Sequence, residues 1–164
     1  MTIAPLGASA HAMSRSFPLP LPMRRALDLA AVAAEAGEVP VGAVITLDGE
    51  IIAEARNAMR GQVDPTAHAE MVAIRHAATR LDTSRLDRCE LWVTLEPCAM
   101  CAAALSLARI GKLTFAADDP KGGGVLHGAR VFNQPTCHHR PEVFSGIGEA
   151  EAAEQLRSFF AARR

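Results

Sequence analysis

Two short motifs in the middle of the chain carry side chains that bind transition metals. His68-Ala69-Glu70 offers an imidazole, and Pro97-Cys98-Ala99-Met100-Cys101 offers two thiols. One imidazole with two thiolates is a ligand set typical of zinc, and their spacing in a helical turn puts Cys98 and Cys101 on one face. Closed structural zinc sites use four protein ligands, so these three favour a catalytic site whose fourth position binds water.

Glu70 gives this metal site a candidate proton carrier. A zinc ion lowers the pKa of its bound water, to about 7 in well-known zinc enzymes, and so makes that water a nucleophile. A carboxylate close in sequence to the ligand His68 can take the proton of the water and pass it to a ring nitrogen and a leaving group. The chemistry that uses all these parts is hydrolytic deamination, in which water replaces an exocyclic amine and ammonia leaves.

Neither motif is specific when taken alone. An H-x-E triplet arises often by chance, and P-C-x-x-C also occurs in thioredoxin-like redox sites. The two motifs in this order, each at the start of a helix, match the signature of zinc deaminases. Two interpretations outside this class stay open. One is a non-catalytic zinc-binding scaffold with a fourth ligand, and the other is a redox protein with a disulfide between Cys98 and Cys101.

The composition limits the alternatives. A chain of 164 residues with 49% hydrophobic and 21% charged residues is sized for one globular domain with a single core. No apolar run is long enough to span a membrane. A formal net charge of -1 and only 4% aromatic residues argue against a broad basic or aromatic platform for nucleic acid. Four cysteines are too few for a disulfide scaffold, so we expect a reducing, cytoplasmic location.

Hydrophobic periodicity and turn signals predict the elements that position the two motifs. Residues 1–19 are expected to be a loose tail, and residues 20–164 a single zinc-dependent deaminase domain. Strands that alternate with helices indicate an α/β layered domain, its first two strands antiparallel and the later ones parallel. The predicted helices are 22–37, one that opens at Asp64-Pro65 and runs through Ala78, 98–108 and 148–164; the strands are 39–47, 50–54, 91–95, 112–117 and 142–147; and 118–141 is mostly loop.

The motifs and their flanking residues resemble those of the bacterial tRNA-specific adenosine deaminases, which belong to the cytidine deaminase-like superfamily. The resemblance extends from about Met23 to Arg164. It implies a three-layer α/β/α sandwich with a mixed central sheet, a homodimer, and one Zn²⁺ per subunit. It also implies conversion of adenosine to inosine at the wobble position of a tRNA anticodon. The matching stretches are Val39-Pro40-Val41-Gly42-Ala43-Val44, Asp64-Pro65-Thr66-Ala67-His68-Ala69-Glu70, Thr94-Leu95-Glu96-Pro97-Cys98-Ala99-Met100-Cys101 and Ala108-Arg109-Ile110-Gly111.

The same resemblance implies a set of substrate contacts. Asn57 matches the asparagine that contacts the base, and Val39 and Leu95 match apolar walls of the pocket. Phe160, in the stretch Phe159-Phe160 followed by Arg163-Arg164, matches a helix placed against the anticodon loop. Residues 124–137 depart from the family pattern. A free nucleobase or nucleoside deaminase of the guanine or cytosine type is the alternative, because such relatives share the zinc motifs.

Other conspicuous residues receive plainer interpretations. Cys137-His138-His139 is interpreted as loop polarity rather than a second metal site, and Cys89 as a small core residue. Lys121-Gly122-Gly123-Gly124 lacks the order and context of a phosphate-binding loop and is predicted to be a mobile rim near the site. A further set of arginines is either a contact patch for the tRNA backbone or ordinary solvated charge. They are Arg24, Arg25, Arg109, Arg163 and Arg164.

Overall fold

The helices and strands alternate along the chain as predicted, in a computed structural model that describes residues 18–164. The predicted tail, 1–19, therefore lies outside the described residues except for Pro18 and Leu19, and Leu19 packs against the core. The elements are α1 (Leu21–Glu35), β1 (Gly42–Leu47), β2 (Glu50–Arg56), α2 (Ala69–Leu81), β3 (Cys89–Leu95), α3 (Ala99–Ala108), β4 (Lys112–Ala117), β5 (Glu142–Ser145) and α4 (Glu149–Ala161), with a 3-10 turn at Val131–Asn133.

The five strands form one mixed sheet in the order β2-β1-β3-β4-β5. β1 is antiparallel to β2 and to β3, whereas β3, β4 and β5 run parallel. The β1–β2 turn places Asp48 at φ 51° and Gly49 at φ 85°, the left-handed backbone that a tight hairpin requires of both residues. The predicted strand directions and the predicted hairpin are confirmed.

Helices cover both faces of the sheet, because apolar residues along the strands point alternately to either side. Val44 packs with Met23 and Leu27 of α1, in a core that also includes α4. Its neighbour Ile45 packs in the second core, with α2 and α3. Gly42 allows α1 to lie directly on β1, since a Cβ there would stand 2.0 Å from a backbone oxygen of α1. The predicted three-layer α/β/α sandwich of the cytidine deaminase-like type is confirmed.

The predicted start of α2 at Asp64-Pro65 is wrong. The Asp64 carboxylate accepts hydrogen bonds from the backbone N–H of Thr66 at 2.8 Å and from its hydroxyl at 2.7 Å. These bonds close a local turn, and the helix begins only at Ala69 with His68 as its N-cap. β1 also starts later than predicted, at Gly42, because the backbone turns where Val41 donates to the carbonyl of Val39.

No helix within residues 18–164 is long and apolar enough to cross a membrane. The longest, α1, has 15 residues, which is short of the about 20 that a bilayer core requires.

Candidate metal centre and active-site cleft

The three predicted metal ligands lie at the adjoining starts of two helices. His68 immediately precedes α2, Cys98 immediately precedes α3, and Cys101 lies in the first turn of α3. The two helices pack against each other on the same face of the sheet. Their starts therefore meet, and one ligand atom from each of the three residues lies within 4.8 Å of the others.

The spacing of these atoms suits a metal ion. Nδ1 of His68 lies 3.6 Å from Sγ of Cys98 and 3.5 Å from Sγ of Cys101. A nitrogen and a sulfur on one tetrahedral zinc ion lie about 3.6 Å apart, since Zn–N is about 2.0–2.1 Å and Zn–S about 2.3 Å. The group is thus able to bind a metal. In the part of the chain that the structure describes, it is the one cluster of three such side chains, and Cys137-His138-His139 forms none.

Hydrogen bonding within the cluster already favours a thiolate. The Cys101 thiol and the His68 imidazole donate to Cys98, and together they lower the pKa of Cys98 to about 4 despite its burial. The same hydrogen bond to Cys98 raises the pKa of Cys101, as does burial. The hydrogen bond between His68 and Cys98 likewise raises the pKa of His68. Because a metal ligates thiolate rather than thiol, Cys98 is ready to bind, and Cys101 would release its proton to solvent when a metal binds.

Glu70 lies beside the ligands in the first turn of α2 and is only 4% exposed. Burial raises the pKa of its carboxyl to about 7, although the charge of His68 acts in the opposite direction. A group with a pKa near the working pH is the most effective proton carrier, since it both takes and returns a proton easily. The environment of Glu70 therefore suits general acid–base chemistry.

The Asn57 side chain connects the segment before β1 with the start of α2. Its amide nitrogen donates to the carbonyl of Val39 at 3.2 Å, and its amide oxygen accepts from the backbone N–H of Ala69 at 2.9 Å. The side chain is buried, at 6% exposure. Asn57, the predicted base contact, is thus held in a fixed orientation. It bonds to Ala69, which directly follows His68, a predicted metal ligand.

The other three predicted substrate contacts line one cleft. Val39, Leu95 and Phe160 all line it, and the cleft has a volume of about 610 Å³. The lining combines apolar and charged side chains. The remaining lining residues are Asp118, Asp119, Lys121, Leu156, Arg163 and Arg164.

The end of α4 carries two adjacent aromatic rings, of which one is buried and the other is exposed to solvent. Phe159 is 7% exposed, whereas Phe160 is 49% exposed, and their rings meet edge to face with centroids 5.4 Å apart. The Arg163 guanidinium stacks on the buried ring, with Cζ 3.5 Å from its centroid. This stacking and the Arg163 bond to the Phe159 carbonyl fix the edge of the cleft on which Phe160 lies.

The arginines considered as one patch are divided by the structure. Arg24 pairs with Glu151, Arg25 with Glu54 and Arg109 with Asp87. Arg163 and Arg164, by contrast, line the cleft. Paired surface charges are largely neutralised, so the cationic character of the set is concentrated at the end of α4.

Sequence reasoning missed the role of Glu96, which lies between β3 and the Cys98 motif. Its side chain is fully buried and holds the loop that contains the three consecutive glycines. Burial raises its pKa, but hydrogen bonds from backbone amides and from His127 outweigh that effect, and the pKa is lowered. Lys121, in the segment predicted to be a mobile rim, lines the cleft. The hydrogen bonds that the neighbouring backbone amides donate to Glu96 favour a fixed rather than a mobile loop.

The remaining cysteines agree with their plainer interpretations. Cys89 is 1% exposed in the core of the sheet. Cys137 contacts the hydroxyl of Ser106 and donates to the carbonyl of His139, while a ring nitrogen of His139 lies 2.7 Å from the carbonyl of Ile110. All four cysteines of the chain are free. The Cys137 segment is thus held by loop contacts.

Comparison with known proteins agrees with the fold and with the motifs. A family profile described as MafB19-like deaminase matches residues 21–164. A tRNA-specific adenosine deaminase of Agrobacterium fabrum is 54% identical over 142 residues, which cover 87% of this chain and 93% of that protein. Such identity over nearly the full length of both chains leaves little room for a different architecture.

Two solved structures are also similar. One, from work on A-to-I editing by tRNA:A34 deaminases at the wobble position of transfer RNA, is 54% identical with a TM-score of 0.81, and the match covers 82% of this chain and 98% of that one. The other, a guanine deaminase from Bacillus subtilis, is 45% identical with a TM-score of 0.58 over 59% of this chain and 62% of its own. The chain belongs to the MafB19-like deaminases and, among them, to the family of tRNA-specific adenosine deaminases.

Proposed function

We propose that residues 20–164 form a single zinc-dependent domain that deaminates adenosine to inosine at the wobble position of a tRNA anticodon. The observation that carries this proposal is the position of Glu70 beside the His68, Cys98 and Cys101 cluster, which Asn57 connects to Val39 in the wall of the cleft. The relatives named for this reaction match the chain over most of its length.

The metal that fits the cluster is one Zn²⁺ per chain, held by His68, Cys98 and Cys101. The donor set and the nitrogen–sulfur spacing are those of tetrahedral zinc. When bound, zinc activates a water molecule as the nucleophile. Three protein ligands would leave a fourth position for that water.

Glu70 moves the protons of the reaction. Its carboxylate takes one proton from the attacking water and delivers it to the ring nitrogen next to the reacting carbon. It then takes the second proton, from the hydroxyl group now on that carbon, and delivers it to the leaving amine. A carbon–oxygen bond forms, a carbon–nitrogen bond breaks, and ammonia leaves. Burial raises the pKa of the Glu70 carboxyl, which favours a group that both takes and returns protons.

Asn57, Val39 and Leu95 bind the target base. The Asn57 amide group has two hydrogens, of which one bonds to Val39, so the second is available to an acceptor on the base. Val39 and Leu95 give the cleft the apolar walls that a flat ring needs. A nucleotide of an anticodon loop is already unpaired, so turning its base into the cleft costs little.

Phe160 and the two terminal arginines contact the tRNA around that base. The exposed Phe160 ring offers a surface on which a neighbouring base stacks. Arg163 and Arg164 supply positive charge to phosphates at the cleft edge. A chain with a formal net charge of -1 thus binds a polyanion through local rather than overall charge.

We also propose that the protein acts as a homodimer in the cytoplasm. The resemblance implies the dimer, and α3 leaves Leu107 73% exposed, an apolar surface that a second copy would cover. The free cysteines suit a reducing compartment. Sedimentation analysis of the full chain tests the dimer, and a monomer at working concentration would contradict it.

The decisive experiment presents the purified protein with alternative substrates. These are a tRNA transcript with adenosine at the wobble position, the same transcript with guanosine there, free adenosine, guanine and cytosine. We expect inosine at the wobble position of the first transcript, measured by nucleoside analysis, and none with Glu70→Gln. Ammonia released from free guanine with no change in the tRNA would favour the alternative, a free-base deaminase. The guanine deaminase of Bacillus subtilis, to which this chain is similar, is named for that reaction.

A further inference from the structure

One buried carboxylate, Glu96, collects hydrogen bonds from two ends of a single loop. Its Oε1 accepts from the backbone N–H groups of Val125 at 3.1 Å, Leu126 at 2.8 Å and His127 at 3.0 Å. Its Oε2 accepts from the backbone N–H of Asp119 at 3.0 Å and lies 2.7 Å from Nδ1 of His127. We name residues 118–127 the rim loop, since every one of these donors belongs to it.

The acceptor, by contrast, belongs to the segment that carries a proposed metal ligand. Glu96 follows the last residue of β3, Leu95, and lies two positions before Cys98. A buried carboxylate is costly unless it is fully hydrogen-bonded, and here the bonds come entirely from the rim loop. Glu96 therefore holds the rim loop against the segment that carries Cys98.

Two glycines of the rim loop make this close contact possible. A Cβ on Gly123 would stand 2.5 Å from Cδ of Glu96, and one on Gly124 would stand 2.5 Å from the backbone nitrogen of Ala99. Gly124 also donates to the carbonyl of Pro97 at 2.8 Å. The absence of side chains lets the loop lie directly on the start of α3.

The rim loop forms one edge of the substrate cleft. Asp118, Asp119 and Lys121 line the cleft, together with Phe160 and Arg163 of the α4 end. The backbone of Asp119 is fixed by Glu96, and the Asp119 carboxylate in turn accepts from the N–H of Lys121 at 3.1 Å. The position of the whole edge thus depends on the Glu96 side chain.

We propose that Glu96 is a positioning residue for substrate recognition, which holds the rim loop in place against the nucleotides that flank the target base. This proposal rests on the proposed function, because it assumes a polynucleotide substrate in the cleft. Contacts with flanking nucleotides are the same before and during the reaction. Their loss therefore raises KM while leaving kcat nearly unchanged.

The test replaces Glu96 by Gln in the full chain. Glutamine keeps one acceptor oxygen but offers an NH₂ group, a donor, where Oε2 accepts from Asp119 and faces His127. We expect KM for an RNA stem-loop with the anticodon sequence to rise roughly tenfold, with kcat changed less than about threefold. The zinc content per chain is expected to stay at the wild-type value.

Two further variants control this experiment. Glu90→Gln makes the same substitution on β3 at a partly exposed position, where Glu90 pairs with Lys112 away from the rim loop, and it should leave KM unchanged. His127→Ala removes a partly exposed side chain and one of the hydrogen bonds. It should raise KM in the same direction by a smaller factor, and it keeps the proposal testable should Glu96→Gln fail to fold.

Hydrogen exchange separates this proposal from the proposed function, because it needs no substrate. Faster exchange of the amides of 119 and 125–127 in Glu96→Gln, with α3 unchanged, is expected even if tRNA is not deaminated. Unchanged exchange of these amides would show that Glu96 does not hold the rim loop in place. Faster exchange with an unchanged KM would overturn its role in recognition, and so would a loss of kcat and zinc at constant KM.

Discussion

The amide oxygen of Asn57 accepts a 2.9 Å hydrogen bond from the backbone N–H of Ala69. Ala69 is the first residue of α2 and follows His68 directly, while the other end of the same amide bonds to Val39 in the cleft wall. One side chain thus joins the surface proposed to contact the base to the backbone that presents His68, a proposed metal ligand. Changes to Asn57 are expected to alter both.

Asn57→Ala should destabilise the fold as well as weaken activity. It leaves the buried N–H of Ala69 without its partner, which costs about 1–3 kcal/mol. Urea unfolding measures the loss. Asn133→Ala, at the exposed last residue of the 3-10 turn before β5, is the control and should change the free energy of unfolding by less than about 0.5 kcal/mol. Equal effects of the two substitutions would show that the Asn57 bonds contribute nothing.

Glu70→Gln should retain zinc and lose turnover. The amide has nearly the shape of the carboxyl but neither takes up nor releases a proton as an acid or base near neutral pH, so the rate of the chemical step should fall by about 10²- to 10⁴-fold. Single-turnover kinetics with metal analysis of the same sample check this. Glu35→Gln, on the exposed side of α1, should behave as the wild type. Substantial residual turnover in Glu70→Gln would contradict its role as proton carrier.

Cys98→Ser should abolish stoichiometric zinc binding, because a hydroxyl is a poor ligand for zinc in place of a thiolate. Cys137→Ser is a matched control on a cysteine outside the cluster and should bind zinc normally. Metal analysis after dialysis against a chelator distinguishes the two variants. Full zinc occupancy in Cys98→Ser would show that the proposed ligand set is wrong.

Phe160→Ala should weaken binding of RNA without lowering the chemical rate. Stacking of a base on an aromatic ring contributes about 1–3 kcal/mol, so KM for tRNA should rise by roughly tenfold. The control is Phe144→Ala in β5, a ring of similar exposure, 44% against 49%, that does not line the cleft. If the two variants bind tRNA equally well, α4 does not contact the RNA through Phe160.

Much of the site could be predicted because its signals are local in sequence. The ligand motifs lie at helix starts, and the Asp48-Gly49 hairpin follows from the backbone that those two residues tolerate. The wrong prediction of a helix start at Asp64 also comes from a local pattern, because that pattern fits two structures. An aspartate before a proline is equally typical of a helix cap and of a turn closed by its own side chain. Only the bond to Thr66 decides between them.

The role of Glu96 could not be predicted in this way, because its partners are distant in sequence. Its hydrogen bonds reach residues 23 to 31 positions further along the chain. The ion pair between Arg24 and Glu151 spans 127 positions. The glycine run was visible in the sequence, but the reason for it is the close approach of the rim loop to another segment. Such contacts exist only once the layers have assembled.

Helices α2 and α3 both begin at the ligand cluster, and this has an electrostatic consequence for the peptide backbone. The first turn of a helix exposes N–H groups with no intrahelical acceptor, and the aligned peptide dipoles give that end roughly half a unit of positive charge. Two such ends converge on Cys98 and Cys101. The preference for negatively charged sulfur is therefore partly a property of the main chain, and it should persist when neighbouring side chains are replaced.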